Sequence, residues 1–442
     1  MSQPARDAGA AFVALYAYPL FNPAAHAIFG GSEVRAWLYA TALARRALWP
    51  VSFVVMDHGQ PALECRDGVT IHAHSHYRCP DPHGWVGPRY LLSEELRAFY
   101  ERRGVDGGGV PRWQGLCISA ARRLRRTVED IGPRVMVDGY RIAPAQLAVY
   151  KRVRAKVFCV LGVSSVTLEA AAHCARSDRR LLLMLGSDED LSESYFGGSR
   201  APNYAGVPGG VCYAALQRAD AIVAQTEHQR TLLRERFGRD AYLVRNPVNL
   251  ETPAAAEGGS SRKHVLWIGK ADGNKRPALL LELARQLPKM RFELVMNRSD
   301  PRLYESVTGA LPQNVRFHER VDFATGESLF ANAIALVNTS LYEGFPNTFL
   351  QAAKHSVPIL SLVVDPDGMV SREGCGVHAR GDLRALRDAL ARLGSHPSER
   401  AAIGAAARAY VERRHALADR VTELADVIEQ VAASGSSIQS VG

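Results

Sequence analysis

A single carboxylate, Glu343, opens the turn Glu343-Gly-Phe-Pro-Asn347-Thr348, which lies between two apolar runs at 333–337 and 357–364. The runs read as buried strands and the residues after the turn as a helix, together half of a βαβ unit. Loops at the carboxyl ends of strands are where open α/β sheets hold ligands. Pro346 suits the first turn of the helix, and Asn347 or Thr348 can cap it. Amides of that turn face outward and favour an anion such as a diphosphate, while Glu343 sits ahead of them to hold hydroxyls. Phosphate on amides and hydroxyls on a carboxylate point to a nucleotide-activated sugar. Lys270 and Lys275 follow another apolar run, 264–268. They are either two cations that clamp the diphosphate and stabilise the departing oxygen, or solvated loop lysines. Glu343 also has a plainer reading, as a carboxylate that complements the helix dipole.

Glu343, followed by Gly-Phe-Pro-Asn-Thr-Phe-Leu and then Gln351-Ala, resembles the Glu-x7-Glu motif of glycosyltransferase family 4, whose members share the two-domain GT-B fold. The resemblance implies that Glu343 faces the donor sugar, that Gly344, Phe345, Asn347 and Thr348 line the donor, and that Lys270 and Lys275 clamp it. The motif's second glutamate, which accepts from ribose hydroxyls, is Gln351 here. A Gln carbonyl accepts without charge assistance, so ribose should be held more weakly. Other segments match in order along most of the chain. Gly30 and Gly31 precede an amphipathic stretch at 34–48 and let the backbone approach a phosphate or sugar closely. The run 219–234 is similar to the family's last strand and helix of the first domain, 244–248 to the approach to the linker, and 264–277 to the second domain's phosphate loop.

Ser187 and Asp188 follow the run 181–185, where the family often places acceptor-side polar residues. Helix capping is the equal alternative. The segment 160–165 contains no histidine, so no histidine receives a catalytic role. His72, His74 and His76, with Cys79 nearby, would share one face of a strand as zinc ligands do. The resemblance argues against a metal, because GT-B enzymes hold the diphosphate with helix amides and basic side chains. No cofactor is expected beyond the sugar nucleotide itself.

At 442 residues the chain exceeds what one core usually supports. Apolar runs alternating with helices predict parallel sheets covered on both faces, hence α/β and two Rossmann-like domains. Expected strands are 11–18, 51–56, 134–137, 156–161, 181–185 and 221–224, then 264–268, 292–296, 315–318, 333–337 and 357–362. The division is a first domain at 1–250, a linker at 251–263, a donor domain at 264–412, a helix at 413–433 and a disordered tail at 434–442. The resemblance implies that the last helix crosses back to the first domain. Seven scattered cysteines, no transmembrane-length run and no cleavage-like N-terminus predict a cytoplasmic protein.

The net charge of +9 is uneven: residues 1–250 hold 31 Lys and Arg against 23 Asp and Glu, and residues 251–442 hold 23 against 22. An anionic partner of the first half follows. No motif favours nucleic acid, so a glycan or lipid-linked acceptor, or an anionic membrane surface, fits better. Two basic amphipathic stretches, 91–103 and 114–131 with Arg122, Arg123, Arg125 and Arg126, either rest on such a membrane or are ordinary surface helices. The expected activity is retaining transfer of a sugar from a nucleoside diphosphate to an acceptor hydroxyl, in bacterial polysaccharide or glycolipid synthesis. Retention is implied by the resemblance alone, and the departing phosphate can take the acceptor's proton. The alternatives are a non-catalytic GT-B scaffold and a sugar-nucleotide epimerase.

Overall fold

The computed structural model describes residues 9–20, 30–58, 60–78, 134–203, 206–251 and 262–434. Cys79, both basic amphipathic stretches and the tail after Ser434 lie outside the described residues. Eight strands form the first sheet, in the order Tyr242–Leu243, Ala221–Ala224, Arg180–Met184, Val157–Leu161, Ala10–Val13, Val51–Asp57, Val69–Arg78, Leu63–Arg66. All its ladders are parallel except the last. The second sheet is wholly parallel, in the order Val315–His318, Phe292–Asn297, His264–Lys270, Ala333–Asn338, Ile359–Ser361, Gly376–His378.

Apolar residues on both faces of these strands explain the architecture. One side of the first sheet packs on the helices Pro144–Arg152, Ser165–Cys174 and Gly209–Arg218. The other side packs on Gly31–Arg46 and on the last helix, Leu417–Ala433. That last helix presents Val421, Leu424, Ile428 and Val431 on one stripe, buried with Tyr39, Leu43 and Val223 of the first domain. The C-terminus therefore crosses back, as the resemblance implies. The second sheet is covered by Asn347–Lys354 and Pro397–Arg414 on one side, and by Pro277–Gln286 and Leu383–Ser395 on the other. The chain is α/β with two Rossmann-like domains.

Each sheet places its first strand in the interior, with connections leaving in both directions. Ala10–Val13 lies between Val51–Asp57 and Val157–Leu161; His264–Lys270 lies between Phe292–Asn297 and Ala333–Asn338. Such a reversal of strand order opens a crevice at the carboxyl ends of the strands. The loops at 271–276 and 339–346 border the crevice of the second sheet.

Local chemistry accounts for the departures from expectation. Val135–Val137 does not join the main sheet but forms a hairpin with Tyr140–Ile142. Its turn is Asp138-Gly139, both with positive φ, a strong two-residue hairpin signal. The first strand ends at Val13 and gives way to a 3-10 helix, Leu15–Leu20. The helix expected at 34–48 is Gly31–Arg46, begun by Gly30 with Glu33 reaching back to the Gly30 N–H. The 413–433 segment is broken: one helix ends at Arg414 and the next begins at Leu417. His72 and His74 share one face of their strand but are buried, and His74 packs against Tyr77 and Tyr150. Burial, with Arg152 adding to it, lowers His72 to about 4. Among the described residues no group of His, Cys, Asp and Glu is arranged to hold a metal. Nor is any described helix long and apolar enough to cross a membrane.

Leu424 is fully buried at the seam between the last helix and the first domain. Leu424→Ala should lower unfolding free energy by about 2–5 kcal/mol, as large-to-small core changes do. Denaturant titration with fluorescence and circular dichroism checks this; an unchanged midpoint would show that the helix is not docked there.

Candidate active site

The donor-side loops are stitched together from both ends. Trp267 Nε1 donates to Thr339 Oγ1 at 3.0 Å, and Thr339 Oγ1 donates to the Lys275 carbonyl at 2.6 Å. Arg276 Nε returns a bond to the Thr339 carbonyl at 2.6 Å. Arg276 adopts a left-handed backbone, φ 48°, immediately before Pro277. That conformation costs a non-glycine residue about 1–2 kcal/mol, and the guanidinium's bonds to the neighbouring loop offset it. The Arg276 side chain thereby ties the loop after His264–Lys270 to the loop that carries Glu343. Asn274 completes the seam by donating to the Tyr342 carbonyl at 3.0 Å and accepting from the Leu341 and Tyr342 amides at 3.1 Å.

This frame brings Lys275 Nζ into an ion pair with Glu343 Oε1. Ser340 Oγ donates to the same oxygen at 2.8 Å, and the Lys275 amide donates to Asp272 at 2.9 Å. Lys270 points towards the first domain: its Nζ lies 3.6 Å from where a Cβ on Gly30 would sit. Lys270, Lys275, Glu343 and the glycine pair thus meet at one crevice. Ser340 and Asn274 were not singled out from the sequence, where short polar residues in a turn carry no distinguishing signal.

Asn347 does not cap its helix. Pro346 occupies the cap position, one residue before the helix Asn347–Lys354, and no side chain caps it. Asn347 Nδ2 instead donates to the Gly31 carbonyl at 2.6 Å, joining the two domains. Its Oδ1 accepts from Asn246 Nδ2 at 3.3 Å. The same Nδ2 is shared with Gln225 Oε1 at 2.7 Å and the Phe345 carbonyl at 3.1 Å. Asn246 Oδ1 accepts from Arg35 Nη1 at 3.0 Å, while Arg35 Nη2 donates to the Leu185 carbonyl at 2.7 Å. Arg35 is 2% exposed, and burial lowers its pKa to about 10, with Tyr39 and Asp190 opposing the shift. It therefore stays charged at neutral pH.

The remaining candidates divide by placement. A Cβ on Gly344 would lie 2.8 Å from Gln229 Nε2 and 3.0 Å from both Gln225 Nε2 and the Gly186 carbonyl, so any larger residue must displace these neighbours. The Phe345 ring turns into the core and packs on His415 at 4.6 Å, so only its backbone faces the crevice network. Thr348 is half-buried in the first helical turn. Gln351 is half-buried, and its Oε1 is enclosed without a hydrogen-bond partner. Ser187 precedes the 3-10 helix Asp188–Leu191. Capping of that turn falls to Asp190, which accepts from the Val163, Gly186 and Ser187 amides at 2.9, 2.6 and 3.2 Å. Asp188 instead turns to Gln229 Nε2 at 3.2 Å and His228 Nε2 at 3.9 Å. Burial, with Asp190 and Glu343 contributing, raises Asp188 to about 6 against the opposing pull of His228. The carboxyl groups of Asp188 and Glu343 thus feel one another from opposite domains.

A second clasp lies beside the crevice. Asp367 accepts from the Glu227 amide at 3.0 Å and from Arg245 Nη2 at 3.1 Å. The two chain crossings are tied by Val248 N donating to the His415 carbonyl at 2.8 Å and Leu417 N donating to the Val248 carbonyl at 3.1 Å. A Cβ on Gly31 would lie 2.9 Å from Asn347 Nδ2, inside contact distance. Gly31→Ala should therefore displace the Asn347 amide and weaken its bond to the Gly31 carbonyl, lowering unfolding free energy by about 0.5–1.5 kcal/mol. Denaturant titration checks this; an unchanged midpoint would mean that Asn347 rotates away at no cost.

Residues 262–396 match the family model described as "Glycosyl transferases group 1". No curated protein matches the chain. Among solved structures, sucrose-phosphate synthase from Thermosynechococcus elongatus superposes with a TM-score of 0.68 at 17% identity, over 97% of this chain and 100% of that one. HepE from Anabaena, in complex with UDP and glucose, gives 0.60 at 12% identity, over 96% and 100%. A TarM variant from S. aureus, in complex with fondaparinux, α-GlcNAc-glycerol and UDP, gives 0.64 at 10% identity, over 95% and 99%. The second domain thus carries the signature of the group 1 glycosyl transferases, in a chain with their two-domain GT-B fold.

Proposed function

We propose that the protein transfers a sugar, with retention, from a nucleoside diphosphate to an acceptor hydroxyl on a glycan or lipid-linked glycan. The observation that carries this reading is the Lys275–Glu343 pair at the crevice, opposite Gly30 and Gly31 and beside the N-terminus of Asn347–Lys354. When a donor enters, its diphosphate competes for Lys275. Glu343 is then released to accept from the sugar's hydroxyls, while Ser340 keeps the carboxylate in place. Lys270, Lys275 and the helix amides neutralise the leaving diphosphate as the glycosidic bond breaks. These groups supply the positive charge, so the reading requires no divalent cation. The UDP seen on HepE and TarM supports a nucleotide donor at this crevice. The basic first half supports an anionic glycan or lipid acceptor in polysaccharide or glycolipid synthesis.

The test is release of nucleoside diphosphate from a panel of UDP-, GDP- and TDP-sugars, with and without glycan and glycolipid acceptors. Glu343→Ala or Lys275→Ala should lower turnover by about two orders of magnitude. A scaffold releases nothing in any arm, and an epimerase converts the sugar without needing an acceptor. Unchanged turnover in either variant would place the chemistry elsewhere.

Gln351 Oε1 is enclosed without a partner, an unmet acceptor that ribose hydroxyls would satisfy. Gln351→Glu should lower the melting temperature of the free protein, since it encloses an unpaired charge. It should tighten donor binding through a charge-assisted hydrogen bond. Thermal denaturation of the free protein checks the first and calorimetric titration with the donor the second; weaker binding would show a pocket shaped around the neutral amide.

A further inference from the structure

Arg35 is a buried cation that makes no ion pair among the described residues. Its guanidinium bonds only to neutral acceptors, Nη1 to Asn246 Oδ1 at 3.0 Å and Nη2 to the Leu185 carbonyl at 2.7 Å. The carboxylates whose charge reaches it, Asp190 and Glu33, are committed elsewhere. Asp190 accepts from the Val163, Gly186 and Ser187 amides, and Glu33 from the Gly30 amide at 2.7 Å. Burying an ion without a counter-ion costs several kcal/mol. A neutral side chain would fill this place without that penalty, so the arginine must do something that a charged, donor-only group does best.

What it does follows from the amides in front of it. A guanidinium cannot accept, so Asn246 turns Oδ1 to Arg35 and Nδ2 away, and the Phe345 carbonyl on the far side enforces the same polarity. The two hydrogens of Nδ2 then serve three acceptors: Gln225 Oε1 at 2.7 Å, the Phe345 carbonyl at 3.1 Å and Asn347 Oδ1 at 3.3 Å. The bond to Asn347 is the longest and so the first to be given up. It holds because Arg35 pins Asn246 from behind and polarises its amide. Asn347 is oriented in turn, with Oδ1 back towards Asn246 and Nδ2 forward on the Gly31 carbonyl at 2.6 Å. One hydrogen of that NH2 is used, and the other has no partner among the described residues. It stands in the first turn of Asn347–Lys354, beside the glycine turn that Lys270 approaches.

Resting on the reading of the crevice as a sugar-nucleotide site, we infer that Arg35 is a positioning residue for the donor: through Asn246 it holds the Asn347 amide so that its second N–H donates to a phosphate oxygen of the diphosphate. The other groups at that point, Lys270 and the helix amides, are also donors, which suits an anion that has no hydrogen to give. Without Arg35, Asn246 settles on its two nearer acceptors and lets Asn347 go. The Asn347 amide is then free to turn its oxygen to the phosphate, and an attraction becomes a repulsion. Arg35 itself touches nothing that reacts; its effect passes through two side-chain amides.

The test is a double-mutant cycle on the full-length protein, read as the affinity for UDP, GDP and TDP by calorimetry. Arg35→Met should fold, because an apolar side chain of similar volume often replaces a buried ion without loss of stability. It should weaken the preferred nucleotide about tenfold, the scale of one hydrogen bond to a charged group. Arg35→Lys keeps a charged donor and should lose less. In an Asn347→Ala background, Arg35→Met should change affinity by less than about twofold, since the group it acts through is already gone. A merely structural role would weaken binding equally in both backgrounds. Should Arg35→Met not fold, Asn246→Leu enters the same cycle with the same expectation. Equal losses in both backgrounds, or no loss when Asn347 is intact, would overturn this inference while leaving the proposed transfer standing. A parent protein that binds none of the three nucleotides would remove both.

Discussion

Asn347 bonded to the Gly31 carbonyl is the contact on which the crevice geometry depends, because it joins the donor helix of one domain to the glycine turn of the other. The bond is supported from behind by Asn246, which links Asn347, the Phe345 carbonyl, Gln225 and Arg35. Arg35 makes this support costly to lose. Its two Nη groups are hydrogen-bonded while Nε is enclosed without a partner, and stripping a further partner from a buried charge typically costs about 3–5 kcal/mol. The network therefore fixes how closely Gly30 and Gly31 approach Lys270. Asp367 acts similarly at the edge, where its carboxylate receives the first amide of Glu227–Phe237 and the Arg245 guanidinium.

Within that frame the Lys275–Glu343 pair has a different character. Both side chains are partly exposed, so solvent screens their attraction and the pair adds little to stability. Its value is positional. The ammonium and carboxylate hold each other where an anionic phosphate and a hydroxylated sugar would respectively displace them. The loops beneath are rigid, tied through Thr339, Arg276 and Asn274, so exchange of partners requires movement of side chains alone. Rigid support under a mobile pair suits a site that must bind, react and release.

What the sequence disclosed followed from physics that is local or periodic. Apolar runs such as 333–337 and 292–296 became interior parallel strands because no other arrangement covers both faces of such a segment. The clustering of Glu343, Lys270 and Lys275 was legible because each stands just after one of those strands. The Asp138-Gly139 hairpin was also written in the chain but hidden by the apolar residues around it. Tertiary choices were not legible. Asn347 is a good cap by propensity, yet a carbonyl from a residue more than three hundred positions away took its amide. Phe345 reads as part of a ligand loop, but its ring is more stable against His415 in the core. Asn246 and Arg35 lie in segments that the sequence marks, but the role of each side chain was not legible, since it arises only when the two domains meet.

On the function proposed above, a sugar nucleotide enters by separating Lys275 from Glu343 at the joint between the domains. A crystal structure of the protein with its sugar nucleotide tests this most directly. The diphosphate should lie within hydrogen-bonding distance of Lys270, Lys275 and the amides at Asn347 and Thr348, with Glu343 turned to the sugar and Gln351 on the ribose. A nucleotide bound elsewhere while Lys275 remains on Glu343 would contradict it.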